Sequence, residues 1–326
     1  MRAYLPLSAM ATWGTVAILA AVLILGYLIT RVRPTGVARV AAWALVVVSV
    51  AGVERLDARE PAGVRMLAII GTLLFAMKAV VAVEGRATGG RRLPWRRWLG
   101  FAALWPGMRP GPFARDIAGP LPGSGRLFGM GLTRLAAGSA LVALARLAWV
   151  GTGSHLLATA ALLPGLSLAV HFGLFNLLAG AWRRAGVDCR PLFVAPLRST
   201  SLGEFWGRRW NLAFSQMTAI AVYQPLVRRA GRPAALAASF LGSGLLHELA
   251  ISVPVRAGYG LPTAYFALHA ALVLAEGRLA RAGHPIDRIA WAGRAWTLAW
   301  LVVPLPILFH RPFLAGVAWP LIGVPG

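Results

Sequence analysis

Eight stretches of this chain stay apolar for close to the ~20 residues a helix needs to cross a bilayer. They lie near 9–30, 36–53, 63–83, 127–150, 155–180, 233–253, 261–277 and 295–310. In hydrocarbon a segment must satisfy its own backbone hydrogen bonds, so an open-ended span has to be helical. The sequence therefore predicts an all-α polytopic membrane protein with about eight transmembrane helices. Composition agrees, with 58% of residues hydrophobic and only 13% charged, where a soluble domain is about a quarter charged. Shorter apolar pieces near 98–106 and 313–325 read as interfacial or re-entrant helices. The whole chain, 1–326, reads as a single integral membrane domain, and no soluble second domain is indicated. The run 9–30 exceeds the roughly 7–15 residues of a signal-peptide core and reads as a retained first span.

A net charge of +23 would suit a nucleic-acid binder, but the arginines cluster between apolar runs, as cytoplasmic loops do. No nucleic-acid partner is expected. With the N-terminus outside, twenty-four loop arginines fall inside and six outside. That bias predicts this orientation in a bacterial-type inner (cell) membrane. It also requires residues 204–227 to begin and end on the inner side. On a helical wheel Trp206, Trp210, Phe214 and Met217 share one side of that segment, opposite Arg208, Asn211, Ser215 and Thr218. The pattern predicts an amphipathic helix on the inner membrane face. The lone Cys189 reads as a buried, inert thiol with no disulfide or metal role.

Ionisable residues inside spans are costly, about 2.5–3.5 kcal/mol for Arg, Lys or Asp at a helix centre, and usually face a partner or a cavity. Lys78, Arg134, Arg146, His171, His247, Glu248, His269 and Glu276 are the candidates. Lys78 and Arg146 can snorkel, while His269 and Glu276 sit toward segment ends, within reach of water or the interface. His247 lies deep in its run, on a helical face with Phe240, Ser243, Gly244 and Ile251, two of which are small. A neutral imidazole enters low dielectric cheaply and accepts a proton near neutral pH. The structural alternative is a histidine hydrogen-bonded across helices, to Asn176 or Ser252. "HELAI" begins like a zincin helix, but the second histidine is replaced by Ile251, so no metal site is expected. No Gly-x-Ser-x-Gly elbow supports a serine hydrolase.

Two motifs in order, "SLGEFWGRRWN" at 201–211 and "SGLLHEL" at 243–249, resemble the wax synthase branch of the membrane-bound O-acyltransferases. So do "LWPGMRP" at 104–110, "HFGLFNLLAGAWR" at 171–183 and "GYGLPTAYF" at 258–266. The likeness covers about 95–280, which would be the acyltransferase core. It implies helices around an intramembrane chamber, with acyl-CoA entering as co-substrate from the cytosol and no tightly bound cofactor. It places His247 and Asn211 in the catalytic positions. Substrate-binding candidates are Arg208, Arg209, Trp206, Trp210, Ser243 and Glu248. Arg208 and Arg209 would attract the CoA phosphates. Trp206 and Trp210 also suit interfacial anchoring.

The chemistry of the residues agrees with that implication. Alcoholysis of a thioester needs a base for the hydroxyl proton and donors for the developing oxyanion. An asparagine amide can be such a donor or can hold the histidine tautomer, and the sequence leaves both open. The expected reaction is acyl transfer to a long-chain fatty alcohol, giving a wax ester. Transfer to a terpenoid, sterol or polyketide hydroxyl is the nearest alternative. From other classes, a lipid or small-molecule transporter with His247 in a proton relay, and a membrane scaffold without chemistry, are the rivals.

Overall fold

The computed structural model describes residues 2–115 and 119–325. Among these, seven helices are long and apolar enough to cross a membrane. They are Ala9–Ile29, Thr35–Leu56, Ala62–Ala87, Ser124–Thr152, His155–Arg184, Leu212–Val255 and Ala290–Leu308. The chain is thus a multi-pass helical membrane protein. The expected run at 261–277 does form a helix, Leu261–Arg281, but Glu276, Arg278 and Arg281 lie in its last turns and it is too weakly apolar to count with the seven. The piece near 98–106 becomes the short helix Trp95–Ala103, and 313–325 becomes a series of single turns.

The helices group into two compact units. The first runs to Leu192 and takes back the C-terminal stretch from Ala315, and the second is Phe193–Leu314. In the first unit Lys78 does not snorkel. It is fully buried, and its Nζ donates to the carbonyls of Phe101 (3.0 Å), Trp105 (2.6 Å) and Gly107 (2.5 Å). Three donors meet three acceptors, so the ammonium ties down the chain just after Trp95–Ala103. Ser124–Thr152 packs closely along the next helix at Gly138, where a side chain would strike the backbone of Gly165 and Ala169. Small residues at such seams let membrane helices approach. Cys189 is buried, and burial pushes its thiol up to about 12, as an inert cysteine requires.

The second unit holds the main departure from expectation. Residues 212–247 are helical almost throughout, yet Gly231 sits at φ 79°, ψ 170°. That conformation belongs to glycine, and Pro233 follows it. The rings of Phe214 and His247 lie 5.4 Å apart, although a straight helix would separate them by about 50 Å. Gly242 likewise comes against Val222. The segment is therefore an antiparallel hairpin with arms 212–230 and 232–247 and its tip at Gly231. The single amphipathic helix expected at 204–227 is not formed. It breaks at Trp210, which is extended, and Asn211, which is left-handed at φ 41°, ψ 62°. Arg208 and Arg209 stand at one end of the hairpin, and Arg228, Arg229 and Arg232 at the other.

Candidate active site

The approach to the hairpin is built from the N-terminal side. Leu202–Glu204 is a single helical turn capped by Ser201, whose Oγ accepts from Glu204 N at 3.1 Å. Glu276, from the helix Leu261–Arg281, accepts the backbone N–H groups of Leu202 (2.8 Å) and Gly203 (2.9 Å), and Trp296 Nε1 (2.9 Å). Glu276 therefore does not reach for water. A carboxylate at helix-start N–H groups that lack an intrahelical partner complements the helix dipole. The next residues, Phe205–Arg209, widen into a π turn. Arg209 donates to Glu204 Oε1 through Nε at 2.7 Å, and its Nη2 lies 2.6 Å from the same oxygen. Partial burial raises the Glu204 carboxyl pKa, but the Thr200 N–H and the Arg209 guanidinium outweigh it and leave the group below its ordinary value.

Asn211 opens the first arm. Its left-handed backbone is one that asparagine tolerates better than most residues, and its Oδ1 accepts from Phe214 N at 3.2 Å, the usual N-cap bond. The amide oxygen is thereby committed. Nδ2 has no hydrogen-bond partner among the described residues.

His247 closes the second arm at the level of Phe214. Its Nδ1 lies 2.7 Å from Ser243 O. A carbonyl only accepts, so Nδ1 carries the hydrogen and Nε2 holds the free lone pair. The tautomer is set by the backbone one turn earlier and not by Asn211. Neither expected structural partner is used. Asn176 donates to Phe172 O at 2.8 Å, and Ser252 hydrogen-bonds Gly258 O and His310. Phe266 lies against the His247 ring, centroids 4.4 Å apart. Its helix comes that close because Gly244 meets Thr263 with no side chain between them. After His247 the ladder widens to a π turn, Glu248–Ser252, before Pro254, which has no N–H to continue it.

Asn211 and His247 line one cavity of about 220 Å³ between the arms. Trp206, Trp210, Phe214, Phe240 and Phe266 form its apolar wall. Trp206 and Trp210 thus line the cavity where interfacial anchoring was the other expectation. Ser215, Thr218, Ser239 and Ser243 also line it, but their hydroxyls are spent. Ser215 donates to Trp206 O, Thr218 to Phe214 O, Ser239 to Ala235 O and Ser243 to Ser239 O, at 2.6–3.0 Å. Ser243 contributes chiefly its carbonyl, which orients His247. Three candidates stand apart from the wall. Glu248 turns away, because neighbours in a helix do not share a face. Its Oε1 accepts from Gly260 N, Thr263 N and Thr263 Oγ1 at 2.9–3.0 Å, capping Leu261–Arg281. Arg209 is held by Glu204, and Arg208 is exposed with no ion pair among the described residues. Among the described residues no His, Cys, Asp and Glu cluster is arranged to hold a metal.

Residues 189–268 match the profile described as "Membrane bound O-acyl transferase family". That stretch contains the approach, the hairpin and the helix that supplies Phe266. The similar proteins are named long-chain-alcohol O-fatty-acyltransferases. The chain is 36% identical over 100 residues to the long-chain-alcohol O-fatty-acyltransferase of Simmondsia chinensis, covering 28% of each protein. It is 35% identical over 140 residues to probable long-chain-alcohol O-fatty-acyltransferase 2 of Arabidopsis thaliana, covering 40% of each. It is 32% identical over 139 residues to probable long-chain-alcohol O-fatty-acyltransferase 6 of the same plant, covering 37% of this chain and 40% of the relative. The matched stretches thus span well under half the length of these relatives.

Proposed function

We propose that this protein is an O-acyltransferase that moves an acyl group from acyl-CoA to a long-chain alcohol within the membrane, giving a wax ester. The observation that carries the reading is the pattern of spent and unspent polar atoms. In a cavity whose serine and threonine hydroxyls are committed to backbone carbonyls, the His247 lone pair and the Asn211 Nδ2 donor are left free. Those are a base and an oxyanion donor. His247 Nε2 takes the alcohol proton as the oxygen bonds to the thioester carbonyl carbon. The oxyanion that forms accepts from Asn211 Nδ2. Collapse breaks the carbon–sulfur bond, and the CoA thiolate leaves with the proton from the imidazolium. The apolar wall excludes water that would divert the acyl group to hydrolysis.

Arg208, unpaired and three residues before Asn211, is the cation we assign to the CoA phosphates. Trp206 and Trp210 hold the substrate chain. Glu248 and Arg209 serve as struts of the site. An N-terminus outside a bacterial-type cell membrane belongs to the same reading. It rests on the first three spans, whose flanks hold eleven arginines on one side and four on the other. The test incubates purified protein with labelled acyl-CoAs and mixed alcohols. Ester should form with wild type and fall by about 10²–10⁴ in His247→Ala, the usual worth of a positioned base. Undiminished ester in the variant removes His247 from the mechanism.

A further inference from the structure

We infer that Leu236 and Tyr223 floor the cavity and set the length of the linear chain that the reaction accepts. The inference rests on the acyltransfer reading and adds a specificity element to the same site. The hairpin register supplies the geometry. Phe214 faces His247, and the facing pairs converge toward Gly231. Along the second arm the lining residues run from His247 to Leu236, eleven residues or about 16 Å of helix. Tyr223 is the last lining residue on the first arm, and nothing nearer the tip lines the cavity. The His247 lone pair and Asn211 Nδ2 thus stand at one end of the slot, and Leu236 and Tyr223 at the other.

The slot is long. Its lining extends over about 16 Å of the second arm. A single unbranched chain suits that length. Beyond the floor the chemistry reverses. Arg232 lies one turn past Leu236, and Arg228, Arg229 and Arg232 are all exposed. A chain too long for the slot must push its methyl end among solvated guanidinium groups, where apolar burial gains nothing. Chain length is limited by Leu236 and Tyr223 on the near side and by that charged tip on the far side.

The experiment varies the two chains separately. One arm supplies a mixture of saturated acyl-CoAs, octanoyl to stearoyl, with a single alcohol. The other supplies the matching alcohols with a single acyl-CoA. In the arm whose chain occupies the slot, Leu236→Trp should lower the longest-to-shortest product ratio by about tenfold or more, the scale of one or two methylenes in an apolar pocket. Leu236→Ala and Tyr223→Ala should raise it. The responding arm identifies whether acyl or alcohol chain is gauged. Because ratios are read from surviving product, partly destabilised variants still report. A parallel thermal-shift series with the linear alcohols and fatty acids needs no turnover. There, Leu236→Trp should move the best-binding homologue to a shorter chain. Unchanged ratios in both arms with an unchanged binding series overturn the gauge. Absence of ester from wild type, with the binding shift intact, counts against the acyltransfer reading alone.

Discussion

Lys78 in the first unit and the Asn211–His247 pair in the second are polar groups on or at the ends of apolar helices, and they are handled in opposite ways. The ammonium of Lys78 is fully spent, with each hydrogen on a carbonyl. Asn211 and His247 each commit one atom to a backbone group and hold the other back. A saturated group can only hold structure. A half-satisfied one is oriented by its first bond and free to react through its second. Burial alone does not separate the two cases; counting donors against acceptors does.

The largest way to break this contrast is His247→Ala. It should cost about 10²–10⁴ in turnover while the protein still purifies as a folded species, measured as ester formed per folded protein. Next is Asn211→Asp. Aspartate can keep the cap on Phe214 N and tolerates left-handed backbone, but it replaces the donor with an acceptor. Turnover should fall by about 10²–10³, as for a lost oxyanion donor, with a thermal midpoint near wild type. A matching loss of stability and activity would make Asn211 a cap only.

Lys78→Met should do the reverse. Each buried carbonyl left without a donor costs about 1–3 kcal/mol, partly offset because a desolvated ammonium is gone too. A net loss of about 2–3 kcal/mol in unfolding experiments is expected on that basis, with KM unchanged in the protein that remains folded. The smallest effect is at Glu204. Its folded pKa is lowered, so the stability it adds is present above the ordinary carboxylate range and lost as pH falls through the folded value. Because the Glu204–Arg209 pair is a quarter exposed, its worth is under about 1 kcal/mol. Wild type should therefore exceed Glu204→Gln slightly at neutral pH and converge with it in acid, read by thermal unfolding across pH.

Most of the spans were legible because an apolar run of the right length has one solution in lipid. The hairpin was not, although its signal was present. "RRAGRP" at 228–233 carries a breaker pair, and the positive-φ glycine turns one 44-residue helical stretch back on itself. Reading 204–227 as one amphipathic wheel failed because the wheel assumes unbroken 3.6-residue turns, and Asn211 interrupts them. His247 and Asn211 were legible as a pair from their motifs, but not how each is held. Ser243 acts through its carbonyl, which no sequence pattern marks. Glu248 and Arg209 looked like substrate groups because they adjoin the motifs. Their partners, Thr263 and Glu204, were chosen by the fold.

The cap on Phe214 has one more effect. An asparagine amide can ordinarily rotate end for end at little cost. Here such a flip would set the NH₂ against the Phe214 N–H, donor facing donor. The start of the helix thus latches the amide in a single sense, and the same contact that begins the arm keeps its nitrogen aimed away from it.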